Sequence, residues 1–387
     1  MSPSTPPTTE PATDPPADRS TESALRELTP VDLTRLQNLN GYPMVSVLLP
    51  TTPGARLTPA DSQALNQLLD RAERRLSVEL PTREIDDVIG PLRQLASRLI
   101  DQSSPGSGLA LFCGVGVVEA YRLPLGPAAR VVIDPTFATR DLARAVLDNP
   151  PYRLLTLASG TAHLYLGTGP QLRERAGHGF PIDSRSTADA ADRRGHLHQG
   201  ERTHHDSRRW DAFLRDVDHA LNGDHRTRAL PLILAAAEPL ASRYRNRTVH
   251  SVIGTIPGNH QRTTPARLST LARPVIDAHL AHQRHLALDE LDKATNQRRA
   301  AWGIDDVWRA AQDGRVVLLV VDPDYTYPAL PAPDGRSLTP SSDPEHPAVI
   351  DDAVDEVIEA VSIRRGRACF SALAPAHRGI AAVLSTA

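Results

Sequence analysis

At 387 residues, with 40% hydrophobic and 23% charged side chains, the chain has the make-up of a globular protein with room for two or three domains. A formal net charge of −3 excludes a polycation, so any contact with nucleic acid must come from a local patch. No apolar run approaches the roughly 18 residues of a membrane span, and the N-terminus carries no apolar signal-peptide core. These features exclude an integral helical membrane protein and read as cytoplasmic.

Residues 1–22 are rich in Pro, Thr, Ser and Asp and bury too little apolar surface to order, so they read as a disordered tail. A first α/β domain is expected over residues 23–150. Thr29-Pro30 opens a helix, and Met44–Leu49 is an apolar strand. Thr58-Pro59 caps a long amphipathic helix with Leu65, Leu68, Leu69, Ala72 and Leu76 on one face, and Thr82 opens another. Strands follow at Gly108–Cys113, Gly116–Arg122 and Ala129–Ile133. Cys113 and Cys369 lie in apolar runs and read as two buried, unpaired thiols.

A second domain is expected over residues 151–273. It starts with a hairpin, Tyr152–Ala158 turning at Ser159-Gly160 into Ala162–Leu166. A long polar loop is then expected over residues 171–209, followed by a helix from about Asp206 with Trp210, Phe213, Leu214 and Val217 at helical spacing. Pro231–Ala235 is a fully buried strand, and a short helix runs from Thr264 to about Ala272. The third domain, residues 274–387, reads as an α/β/α sandwich. A helix of about 20 residues, the strand Arg315–Val321 and a Pro-rich insertion at Pro328–Pro347 come first. An acidic helix at Ile350–Ser362, a basic turn at Arg364-Arg365-Gly366-Arg367 and two closing strands complete it. The expected class is three tandem α/β domains.

Trp210–Leu221, Leu230–Ala235, Glu238-Pro239-Leu240, Tyr244-Arg245 and Ile253-Gly254, together with Val45–Thr51 and the Tyr152 hairpin, resemble the bacterial branch of the archaeo-eukaryotic release factor and Pelota superfamily. The resemblance covers nearly everything after the tail. It rests on patterns of apolar and small residues, which specify fold better than chemistry. It implies a family-specific first domain, a middle domain of RNase H-like fold, and a last domain of the ribosomal-protein type that binds kinked RNA. It also implies the ribosome as partner through rRNA and tRNA, and leaves room for a translational GTPase. No DNA partner, membrane, cofactor or metal is implied.

Release factors carry Gly-Gly-Gln in the loop after the first hairpin of the middle domain, where it helps place the water that cleaves peptidyl-tRNA. This sequence has no Gly-Gly-Gln. The nearest material is Gly195-His196-Leu197-His198-Gln199-Gly200, in which Leu197 and His198 resist the backbone that two glycines allow. A catalytic tip at Gly195, His198, Gln199 and Gly200 is therefore the lesser reading, and ribosome binding without intrinsic chemistry the better one. Arg193, Arg194, Arg202, Arg208 and Arg209 are candidate phosphate contacts in the loop, and Arg364, Arg365 and Arg367 in the last domain. The arginines of the basic turn fit a helix-capping role equally well. The loop is expected to be a contact element, mobile in the free protein.

Other chemistries fit less well. His196, His198, His204 and His205 resemble a zinc set but have no cysteine near them, so a solvated loop is favoured. Two-metal nuclease chemistry needs carboxylates converging at strand ends. Strands 153–158, 162–166 and 230–237 carry none, the nearest being Glu238. No Gly-x-Ser-x-Gly supports a serine hydrolase. A third class of function is an RNA-binding or scaffold protein that works away from the ribosome through its last domain.

Overall fold

The computed structural model describes residues 25–54, 56–102, 106–114, 116–158, 160–183, 199–343, 346, 348–373 and 379–385. The first sheet contains β1 (Arg26–Glu27), β2 (Met44–Pro50), β3 (Gly108–Gly114), β4 (Val117–Leu123) and β5 (Arg130–Asp134), in the order β1-β4-β3-β2-β5. α2 (Pro59–Leu76) and α3 (Thr82–Gln102) cover the face that presents Val45, Val47 and Leu49. α1 (Pro30–Gln37) and α4 (Arg140–Asp148) cover the face with Met44 and Leu48. Burial on both faces is why β2 reads as an apolar run broken only by Ser46, whose hydroxyl accepts from the Ala138 amide. Thr29 and Thr58 each close a capping box with the aspartate three residues on, Asp32 and Asp61. Sequence reasoning missed α4. It has only a short apolar stripe, and Thr139 makes no side-chain cap that would mark its start.

The second sheet orders as β11-β10-β6-β7-β8. β6 (Tyr152–Ala158), β7 (Thr161–Thr168) and β8 (Gln171–Glu174) form an antiparallel meander. β10 (Leu232–Ala236) and β11 (Val252–Pro257) run parallel to β6. A short strand, β9 (Ile182–Asp183), also pairs with β7. α5 (Gln199–Gly223) and α6 (Leu240–Arg245) pack on the face bearing Leu155, Leu157, Leu164 and Leu234.

Here the expected polar loop is corrected at both ends. Residues 171–174 form β8, joined to β7 by the two-residue turn Gly169-Pro170, with Gly169 at φ +55° and Leu172 buried. At the other end α5 starts at Gln199, upstream of the expected Asp206. Its first turns are all polar, so they carry no apolar periodicity to read. Gln199, Gly200, Arg202, Arg208 and Arg209 are therefore helical residues.

Gly167 faces Tyr152 across the hairpin, and a Cβ there would sit 2.3 Å from the Tyr152 ring. Tyr152 is 1% exposed and has no room to withdraw. Gly167→Ala is expected to destabilise the protein by about 1–3 kcal/mol, read as a lower denaturant midpoint.

The third sheet orders as β12-β17-β13-β16, from β12 (Ala300–Trp302), β13 (Val316–Val321), β16 (Arg367–Phe370) and β17 (Ile380–Leu384). α8 (Ile304–Gln312) and α9 (Ala353–Ile363) cover one face. The insertion expected at Pro328–Pro347 contains its own hairpin, β14 (Ala329–Pro331) and β15 (Leu338–Pro340). The opposite face is covered by α7 (Pro265–Asn296), which corrects a second expectation. A helix ending near Ala272 and another starting near Pro274 are one continuous helix of 32 residues, about 48 Å long. Its Leu268, Ala272 and Ile276 pack on the second sheet, and its Ala287, Leu291 and Ala294 on the third. Packing on both sides of Pro274 offsets the hydrogen bond that proline removes.

The first and third units meet through a buried, acid-rich contact between α2, α4 and the start of α9. Arg140 donates to Asp352 at 2.8 Å and Arg75 to Asp351 at 3.0 Å. The Thr139 amide donates to Asp355 at 3.2 Å, and the Thr136 hydroxyl to Glu356 at 2.8 Å.

Candidate functional site

The described residues leading into the site singled out by sequence leave the second sheet beside the β6–β7 turn. β9 holds Ile182 and Asp183 against Ala162 and Thr161. Just upstream, Gly177, His178 and Gly179 all have positive φ, and Gly177 and Phe180 exchange backbone hydrogen bonds of 2.9 and 3.0 Å. This tight turn drives Phe180 into the core shared with Phe213, Leu214 and Val217. Arg175 fastens the same stretch to Asp224 at 3.3 Å.

On the far side, α5 is fixed by its apolar face and by polar ties to the segment around α6. Asp218 accepts from the Tyr244 and Thr248 hydroxyls, each at 2.8 Å, and Arg247 donates to Asp211 at 2.8 Å. Burial and the neighbouring Asp218 push the Tyr244 phenol up, so it stays a neutral donor. Beneath this layer Arg153 is 1% exposed and donates to the carbonyls of Arg228 at 3.0 Å and Leu230 at 3.1 Å. Burial lowers its pKa. Burial and the Arg153 charge together lower that of His250, which lies 3.5 Å away. These groups hold the scaffold together and face away from solvent.

Residues 151–315 match the family model for bacterial archaeo-eukaryotic release factor family 3. The resemblance read from the sequence is borne out over that span. Among solved structures, S. cerevisiae Dom34 is similar at 14% identity, with 72% of this chain and 73% of that chain covered and a TM-score of 0.37. Archaeoglobus fulgidus Pelota is similar at 12% identity, with 92% of each chain covered and a TM-score of 0.32. An archaeal Pelota from a ribosome-bound assembly with ABCE1 is similar at 12% identity, covering 93% of this chain and 95% of that chain, at a TM-score of 0.41. No curated protein matches.

Within the release-factor-like span, Arg193, Arg194, Gly195 and His198 lie outside the described residues. Gln199, Gly200, Arg202, Arg208 and Arg209 sit on the first turns of α5. Among the described residues no group of His, Cys, Asp and Glu is arranged to hold a metal ion, and no helix is long and apolar enough to cross a membrane. Glu238, two residues past the end of β10, is bound by Arg245 at 3.1 Å and by the Ser242 amide at 3.2 Å.

In the last unit, Arg364 donates to the carbonyls of Ala311 and Gln312 and so caps α8. Arg367 grips Glu290 with bonds of 2.6 and 2.7 Å. Arg365 is exposed, at φ +60°. Sequence reasoning passed over Arg298, Arg299 and Arg315, which stand at the same end of this unit. The available signal was that each follows directly on a helix end. Cys113 is buried, and burial pushes its thiol up to about 11. Cys369 is only half-buried, a correction to the expected pair of buried thiols; both are free.

Proposed function

We propose that this is a translation-associated protein that binds the ribosomal A site during rescue, stress or hibernation and performs no intrinsic chemistry. The observation that carries the reading is the family match over residues 151–315 in a sequence that contains no Gly-Gly-Gln. The middle unit is read as RNase H-like. Its strand order, with an antiparallel meander followed by two parallel strands on the far side of β6, supports that reading. The last unit is read as the kinked-RNA-binding type, supported by its α/β/α layering. The proposed domain limits are 23–150, 151–273 and 274–387, with α7 bridging the last two. A cytoplasmic location, rRNA and tRNA contact, and a translational GTPase partner follow from the family resemblance alone.

The test is binding of the purified full chain to ribosomes with an empty A site, and its loss when that site is first filled with tRNA. Binding that is indifferent to A-site occupancy contradicts the reading. Release of labelled peptide from stalled complexes is expected to stay at background, with Gln199→Ala indistinguishable from the parent. Release above background that Gln199→Ala abolishes would establish the hydrolase alternative.

A further inference from the structure

We infer that the third unit carries a phosphate-binding row of arginines along one end of its sheet, and that this row docks the phosphodiester backbone of RNA. The row is built from three helix-to-strand turns. Arg298 and Arg299 lie between α7 and β12, Arg315 opens β13, and Arg364, Arg365 and Arg367 span the turn from α9 into β16. The sheet order β12-β17-β13-β16 brings these turns side by side. With adjacent strands about 4.8 Å apart, the row is about 15 Å wide.

Short contacts lock the turns together. The Leu384 amide donates to the Arg299 carbonyl at 2.8 Å, and Arg299 Nη1 donates back to the Leu384 carbonyl at 3.1 Å. The next amide, Ser385, donates to the Arg315 carbonyl at 2.8 Å. Gly366 lies so close to the Val316 carbonyl that a Cβ would come within 3.0 Å of it, which fastens the Arg365 turn beside the Arg315 turn.

The six arginines divide in two. Arg299, Arg364 and Arg367 are spent on Gln297, on the α8 carbonyls and on Glu290. Arg298, Arg315 and Arg365 are exposed, with no ion pair or side-chain hydrogen bond among the described residues. Arg298 and Arg365 both hold positive φ, +55° and +60°, a conformation that costs a non-glycine residue energy. Two acids at this end are already engaged, Asp313 by Arg336 at 3.0 Å and Glu290 by Arg367.

Three free guanidiniums on a rigid edge match phosphate oxygens by charge and by paired N–H geometry. A protein partner would call for a buried aromatic anchor, and the row has none. The preference for RNA over an acidic protein also rests on the ribosome-associated reading above.

The experiment titrates a labelled short RNA duplex with the full chain at several salt concentrations. Parent is compared with Arg298→Glu/Arg315→Glu/Arg365→Glu and with the corresponding triple Lys variant, all three checked for unchanged thermal unfolding. The Glu variant should bind at least about tenfold more weakly, and its slope of log affinity against log salt should be shallower by about 2–3. The Lys variant should stay close to parent. Parent-like affinity and slope in the Glu variant would overturn the inference. So would loss of polyglutamate binding with duplex binding intact, which would point to an acidic protein. Normal association with ribosomes by a Glu variant that still binds duplex would sink the row alone. Loss of duplex binding in a chain that never associates with ribosomes would sink the ribosomal reading alone.

Discussion

Replacing Arg140 with Met should cost about 3–5 kcal/mol of stability, the range for removing one partner of a buried ion pair. Arg140 and Asp352 are 5% and 9% exposed at the side chain, so solvent screens their contact little. Arg140 also donates to the carbonyl of Pro323 at 2.8 Å, reaching from α4 of the first unit into the third. Asp352 in turn caps α9 by accepting from the Val354 amide and takes the Tyr327 amide as well, each at 3.1 Å. Without Arg140, a carboxylate fixed by two amides stays buried with its charge uncompensated. Urea unfolding measures the loss, and a second variant, Arg140→Met/Asp352→Asn, should recover part of it. A cost below about 1 kcal/mol for the single variant, the value of an exposed pair, would show that the units are held together elsewhere.

Stability should also fall as pH rises from about 5 to 9. Burial, the adjacent Asp351 and Glu356 push the Asp134 carboxyl up to about 8, and burial and Glu356 push Glu359 up to about 8. Burial is likewise the main cause of the upward shifts of Asp351, Asp355 and Glu356. Arg75, Arg130 and Arg140 face this set and Thr136 and Thr139 donate to it, but the acids outnumber the arginines. The sign follows from linkage. Each raised group contributes its stability in full below its unfolded pKa, near 4, and loses it as pH rises through its folded value. For Asp134 and Glu359 the loss is complete above about pH 8 and amounts to several kcal/mol for the set. Asp134→Asn should flatten the profile. A parent profile that is level or rises across this range would contradict the ionisation pattern.

Wherever packing imposes a period, the fold was legible. β2, β10 and β13 announce themselves as apolar runs, and Thr29-Pro30 and Thr58-Pro59 as helix starts, because the chemistry that closes each cap is local. Three features were not legible. α4 lacks a side-chain cap, the first turns of α5 are all polar, and α7 runs through a proline that normally stops a helix. For α4 and α7 tertiary packing overrides the local signal. The candidate site divides along the same line. The anchors of the stretch leading to residue 183 include Phe180, whose place in the core no local pattern reveals. The arginine row joins residues nearly 70 positions apart, from Arg298 to Arg367, and only the strand order brings them together.

Ribosome association can be read from sucrose gradients of lysates from growing and starved cells, probed for the full chain. Binding to the A site predicts that the protein migrates with ribosomal particles, more strongly in starved cells where vacant ribosomes accumulate, and shifts to the top when salt is raised. Confinement to the top fractions under both conditions would contradict it.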